Sequence, residues 1–438
     1  MTEMKDSGFD FIGQIPENWT ILRIKHAAWL KGRIGWDGLK AEEFTDKGPY
    51  LITGTDFDNG AVNWETCVHI SDERFEEDQL LHIKEGDLLI TKDGTVGKVA
   101  IVKGCPEKVS LNSGIMIIRN YTKYKYLDKY MYYTLMSNVF TDWFNYNTKP
   151  GTTILHLYQH DFDNFKFLLP PLEEQQQIVT YLDARCSKID SAIAQRKAII
   201  EKLKDYKSAV IIKTVTKGLN PDAVMKDSGL KWVDTIPIHW NAKRLKFLVN
   251  TSSGSTPNSK TREYYENGNL NWIQSGDLYN KTFIEAVAKK ITELAIKECR
   301  LKFYIAPFLV VAMYGASIGN ISISLIDSYT NQACCVLLPK VDVNIKFLYY
   351  AISVAKTDLL AEAIGGSQPN ISQDKINNLK IPLPPVNEQQ EIAYYLDSQC
   401  AKIDEAIAKQ EQAVTKLEEY RKSIIYYAVT GKIDCRDI

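Results

Sequence analysis

Three groups of residues in the 438-residue chain have the types and spacing of chemical sites. Gly94-Thr95-Val96-Gly97-Lys98 carries the glycines and the lysine of a phosphate cradle, but a P-loop needs Gly-x-x-x-x-Gly-Lys-Ser/Thr. This run is shorter, and Val99 brings no hydroxyl, so it reads as a turn between strands. Leu169-Pro170-Pro171-Leu172 and Leu383-Pro384-Pro385-Val386 hold the paired prolines of an adenine methyltransferase's Asn/Asp-Pro-Pro-aromatic loop, without its amide or its aromatic. They serve better as helix entrances. His156 and His160 have metal-like spacing, yet no nearby Cys or His completes a tetrahedral set. Trp19 and Trp240 read as core anchors rather than base-stacking platforms. No catalytic residue and no metal site is expected.

The elements that position these groups occur twice. Met4-Lys5-Asp6-Ser7-Gly8 returns as Met225-Lys226-Asp227-Ser228-Gly229, and Ile15-Pro16-x-x-Trp19 as Ile236-Pro237-x-x-Trp240. Leu169-Pro170-Pro171-x-x-Glu174-Gln175-Gln176-x-Ile178 returns as Leu383-Pro384-Pro385-x-x-Glu388-Gln389-Gln390-x-Ile392. The offset is 221 residues at Asp6 and 214 at Pro170, so the second globular part is seven residues shorter. Between these anchors the copies share a rhythm of short apolar runs and polar turns. Gly86–Thr91 and Phe308–Met313 are β-formers that lead into glycine-bounded loops. Strands near Ile115 and Val336 and helical stretches near Tyr126–Phe144 and Ile345–Ala363 follow. Each globular part is expected to be α+β with a mainly antiparallel or mixed sheet.

Long polar helices are expected after the Pro-Pro motifs. Val179, Leu182, Cys186, Ile189, Ile193, Ile200, Leu203 and Val210 fall at alternating spacings of three and four, with Arg196 and Lys207 in the remaining slots. The second copy gives Ala393, Leu396, Cys400, Ile403, Ile407, Val414, Leu417 and Ile424, with Gln410 and Arg421 in the same polar slots. Each helix of roughly forty residues would run ~60 Å. The first must end before Gly218 and the second near Gly431. Such a seam needs a partner. An antiparallel pair with pseudo-two-fold symmetry is favoured over each helix packing on its own domain.

Composition bounds the rest. Hydrophobic residues make up 45% and net charge is −1, so any DNA-binding face must be a local basic surface. No apolar run spans a bilayer and no secretion signal is seen, so a cytoplasmic protein with eight reduced cysteines is expected.

The twice-repeated Asp-Ser-Gly…Ile-Pro-x-x-Trp opening and Leu-Pro-Pro…Glu-Gln-Gln-x-Ile exit resemble the specificity (S) subunits of type I restriction–modification systems. Tyr206-Lys207-x-x-Val210…Val215-Thr216-Lys217-Gly218-Leu219 also looks like that family's first spacer. The resemblance covers essentially the whole chain. It implies target recognition domains at 1–170 and 218–384 and spacer helices at 171–217 and 385–432. Each domain would read one half of a bipartite double-stranded DNA target, with the helices as a ruler. The subunit would be non-catalytic and would dock two methyltransferase (M) subunits and restriction (R) subunits. S-adenosylmethionine, ATP and Mg would belong to those partners. No membrane association is implied.

DNA contacts are expected in loops at matched places. The first set is Arg33, Trp36, Lys92, Thr95, Lys98, Lys149, Thr152 and Thr153. The second is Ser255, Asn258, Lys260, Arg262, Tyr314, Ser317, Asn320, Ser367, Gln368 and Asn370. The helix seam is expected at Leu182, Cys186, Ile189, Ile193, Leu203, Leu396, Cys400, Ile403, Ile407 and Leu417. A repressor acting alone and a scaffold without DNA affinity are the rival readings.

Overall fold

The computed structural model describes residues 3–10, 12–33, 39–121, 126–147, 155–361 and 370–435. It divides into two compact units, residues 1–198 with 411–438, and residues 199–410. Each unit therefore combines a globular domain with part of both long helices.

In the first unit the central sheet has the order Ala28–Gly32, Ile115–Asn120, Leu88–Thr91, Val99–Ile101, Ala61–Val62, Phe57–Asp58. All neighbours are antiparallel except Ala61–Val62, which runs parallel to Val99–Ile101. Every residue of Leu88–Thr91 is buried, because both faces of the sheet are covered. Strand periodicity sorts its side chains. Leu88 and Ile90 join Met116, Ile118 and Tyr130 in the core beneath the helices Asp128–Met136 and Asn138–Asn147. Leu89 points the other way, to Ile52, Val109, Leu111 and Ile117. That second layer is a three-stranded sheet of Val109–Leu111, Thr45–Ile52 and Val68–His69.

The second unit repeats this order in its own sheet: Val249–Ser253, Cys334–Pro339, Phe308–Ala312, Ile321–Ser324, Phe283–Ile284. Its Ile321–Ser324 and Phe283–Ile284 pair is parallel, as is the matching pair Val99–Ile101 and Ala61–Val62 in the first unit. Leu309 and Val311 face the core under the helix Ile345–Val354, and Phe308, Val310 and Ala312 face the opposite side.

The repeated motifs form the rim of each domain. Asp6 Oδ1 accepts from Gly8 N at 2.8 Å and Asp227 Oδ1 from Gly229 N at 2.9 Å, which fixes the tip of the opening hairpin. Trp19 and Trp240 are buried, and their indole N–H groups donate to Glu174 Oε2 at 2.8 Å and Glu388 Oε2 at 2.9 Å. Gln175 and Gln389 stitch helix to domain. Each accepts a backbone N–H (Leu127 or Asn344) at 2.9 Å and donates to a proline carbonyl (Pro170 or Pro384) at 2.8 Å. The Glu-Gln-Gln repeat is thus a clamp between each helix start and its domain.

The long helices are Leu172–Lys217 and Val386–Val429. Within the first unit, Leu182, Cys186 and Ile189 share one core with Ile424, Ile425, Ala428 and Val429. Arg421 Nε meets Asp190 Oδ1 at 2.9 Å, and Lys197 lies 3.9 Å from Glu418. Rising numbers on one helix meet falling numbers on the other, so the pair is antiparallel. Within the second unit, Leu396 and Cys400 share a core with Val215, and Lys207 Nζ meets Asp404 at 2.7 Å. The polar seam slots Lys207 and Arg421 are therefore charge-pair positions, each matched to the equivalent aspartate. Of the other seam residues, Ile403 is buried, and Ile193, Leu203, Ile407 and Leu417 are half-buried. The expected antiparallel helix pair is present, and packing of each helix on its own domain holds beside it. The Leu182 and Leu396 regions do both, since the same clusters contain Tyr132 and Tyr133, or Phe347 and Tyr350.

Candidate nucleic-acid interface

The glycine loops of the two domains hang on one backbone scaffold. In the first, Thr91 N donates to Lys98 O at 2.9 Å and Gly97 N to Thr91 O at 3.0 Å. In the second, Ala312 N donates to Asn320 O at 2.9 Å and Gly319 N to Ala312 O at 2.8 Å. Gly94 and Gly97, with φ of 67° and 89°, match Gly315 and Gly319 at 82° and 72°. These left-handed turns are why the loops need glycine. A returning segment holds each loop: Leu157 N donates to Lys92 O at 2.8 Å, and Ile371 N to Met313 O at 2.7 Å. Asp93 thereby stands opposite His156, and Tyr314 opposite Asn370.

The expected contact residues separate into four groups. Thr95, Lys98, Ser255, Asn258, Lys260, Arg262 and Asn370 are exposed. Tyr314 and Asn320 are half-buried, and Asn320 Oδ1 accepts from Lys356 Nζ at 2.7 Å. Arg262 is 84% exposed at its side chain, with Glu266 4.0 Å away. Trp36, Lys149, Thr152, Thr153, Ser367 and Gln368 lie outside the described residues.

Arg33, Lys92 and Ser317 are corrections, because they are buried rather than at a loop surface. Arg33 Nε donates to Leu111 O at 3.2 Å, and Lys92 Nζ donates to Arg33 O at 2.9 Å. Burial pulls the Lys92 ammonium below its ordinary range, with the Asp93 carboxylate acting against the shift. Arg33 thus ties its segment to the strand Val109–Leu111, and Lys92 ties the base of the glycine loop to Arg33. Lys356 has the same character, its pKa lowered by burial.

The repeated-site geometry includes residues that the reading of the sequence missed. Asp183 accepts from Lys129 Nζ and Tyr133 OH, both at 2.6 Å. Asp397 accepts from Lys346 Nζ at 2.5 Å and Tyr350 OH at 2.8 Å. The signal was present as a matched Lys-x-x-x-Tyr in each domain, one helical turn apart. His156 pairs with Asp93, and His160 lies 3.1 Å from its neighbour Asp161.

A family model described as "Type I restriction modification DNA specificity domain" matches residues 16–204 and again residues 237–416. The chain belongs to the type I restriction–modification DNA specificity family. Two similar proteins come from Methanocaldococcus jannaschii. The MjaVIII specificity subunit is 27% identical over 97% of this chain and 95% of that protein. The putative MjaX specificity subunit is 26% identical over 96% of this chain and 95% of that protein. Among solved structures, a chain described under "complex assembly and conformational transition of the type I R-M system" superposes with a TM-score of 0.73 at 16% identity, covering 96% of this chain and 99% of the other. The HsdS subunit from Thermoanaerobacter tengcongensis gives 0.51 at 17%, covering 98% and 100%. As a specificity subunit, the chain is a DNA-recognition component with two target recognition domains and no catalysis of its own. Among the described residues no helix is long and apolar enough to cross a membrane.

Proposed function

We propose that this specificity subunit recognises a bipartite DNA sequence, one half-site per domain, with the long helices as the spacer that sets their separation. The observation that carries this reading is the twin glycine loop. Two domains present the same backbone device with different side chains: Asp93, Thr95 and Lys98 against Tyr314, Ala316 and Asn320. One device with two surfaces suits two different half-sites. The clamps and the seam charge pairs repeat closely, which suits docking two copies of one partner. Those partners are methyltransferase subunits, which supply S-adenosylmethionine chemistry, joined by ATP- and Mg-dependent restriction subunits. The assembly works in the cytoplasm.

The test is co-expression with the partner methyltransferase, followed by mapping of adenine methylation. A split motif that appears only with this chain is the expected result. Replacing residues 1–170 with another such domain should change one half of the motif alone. A continuous motif, or changes in both halves, would refute the reading.

A further inference from the structure

The bridge that pins each glycine loop has an inner and an outer side. Antiparallel pairing places opposed residues on the same face, and the next residue along on the other. Lys92 and Leu157 turn inward and are buried, as are Met313 and Ile371. Asp93 and His156 stand on the outer face of the first domain, half-buried, with His156 Nδ1 paired to Asp93 Oδ1. Tyr314 and Asn370 occupy the same outer positions in the second domain, half-buried and exposed respectively. The backbone bonds beneath them agree within 0.1 Å, 2.8 against 2.7 Å. Inward positions keep their buried character, whereas the outer pair changes chemical class. Pinning the loop needs only the backbone bonds, which both domains have. Asp93, His156 and Asn370 belong to neither domain core, and Tyr314 leans on the edge of the second domain's core while remaining partly exposed.

Their chemistry matches base edges in the major groove. A carboxylate accepts from the cytosine amino group, and a donor beside it meets guanine O6 or N7. The His156 ring has two nitrogens, Nδ1 for Asp93 and Nε2 for a base edge. An amide reads adenine N6 and N7 in bidentate fashion, and an aromatic ring covers the thymine methyl group. We propose that these outer pairs read base identity: Asp93 with His156 against a C·G pair in one half-site, and Tyr314 with Asn370 against an A·T pair in the other. This rests on the reading above that each domain takes one half-site.

The test uses the full chain assembled with its methyltransferase partner and a pool of randomised DNA duplexes, with bound sequences selected and read. Asp93→Asn and Asn370→Asp exchange an oxygen for an amide nitrogen, or the reverse, with little change of shape. Asp93→Asn should lower the preference for C·G on the order of tenfold at one position of one half-site. Asn370→Asp should do the same for A·T at one position of the other. The untouched half-site in each variant shows that the chain is folded and bound. Two results would overturn the proposal: an unchanged motif in both variants, or an even loss of affinity for all sequences. Failure of the underlying bipartite reading is separate, since the unsubstituted chain would then select no split motif.

Discussion

Truncating one leucine tests how the helices are held. Leu396 is fully buried, in one cluster with Val215 from the other helix and Phe347 and Tyr350 from the domain. Leu396→Ala removes three carbons, ~2.4 kcal/mol at ~0.8 kcal/mol per buried methylene. The void left between helix and domain raises the expected loss to about 3–4 kcal/mol. Leu182 is the matched residue, equally buried in the first unit, so Leu182→Ala should cost a similar amount. Leu396→Asp is harsher. The neighbouring Asp397 already takes Lys346 and Tyr350, and a second carboxylate would be buried without a cation of its own. It should unfold the second unit's helix pair and abolish assembly with the methyltransferase in gel filtration. Urea unfolding of the full chain measures the loss, and hydrogen exchange locates it. Protection should fall in 199–217 and 386–410 for the Leu396 variant, and in 172–198 and 411–429 for the Leu182 variant. A loss below about 1 kcal/mol, or exchange changes in the wrong unit, would refute the shared-core account.

Two further predictions concern charge. Lys98→Ala should weaken binding across sequences and reduce the salt slope by about 1, as for a phosphate contact, whereas Lys92→Ala should lower stability and leave that slope unaltered. The opposite pattern in salt titrations would place the buried lysine, not the exposed one, on DNA. Burial pushes the Cys186 and Cys435 thiols up to about 11, and Cys67 and Cys335 up to about 12. The native chain then keeps protons that the unfolded chain releases near the ordinary thiol value, ~8.5. The stability from these thiols is whole below that value and is lost as pH rises toward 11–12. Melting temperature should therefore fall from about pH 8.5 upward. A flat profile to about pH 10.5 would contradict it.

The duplicated rim was legible because identical residues keep identical bonds. Asp6 and Asp227 cap the same turn, and Trp19 and Trp240 find the same glutamate of the same helix start. Helix ends were legible too, since Gly218 and Gly431 stop them. What covers the seam was not, because a heptad pattern marks an apolar stripe without saying whether a helix or a sheet domain lies on it. Leu182 and Leu396 face both. The loop lysines show the same limit. Lys92 and Lys98 look alike in sequence, but Lys92 continues the inward phase of the strand Leu88–Thr91, and Lys98 lies beyond the glycine turn. The outer pair Asp93 and His156 needed the pairing of segments 63 residues apart, which no local pattern carries.

The same logic explains why the last turn of the chain matters to the first domain. Gly431, with φ of 71°, packs so closely on the rim that an added Cβ would stand 2.4 Å from Pro16 Cδ and 3.2 Å from Trp19. Gly218, with φ of 72°, is its counterpart in the second unit, but there the nearest atoms are the Glu388 carboxylate at 3.0 Å and Trp240 at 3.1 Å. An alanine at either place costs about 1–2 kcal/mol for the left-handed backbone. At 218 the carboxylate can swing aside. At 431 the obstacle is a proline ring whose residue is paired to Met4 in the opening hairpin, so it can yield only by moving the strand. Gly431→Ala should therefore cost at least ~1 kcal/mol more than Gly218→Ala, by overpacking. Exchange protection should drop in residues 4–23, more than four hundred residues away in sequence. Equal costs for the two alanines would show that the rim yields easily, and that the end of the second helix does not hold the first domain closed.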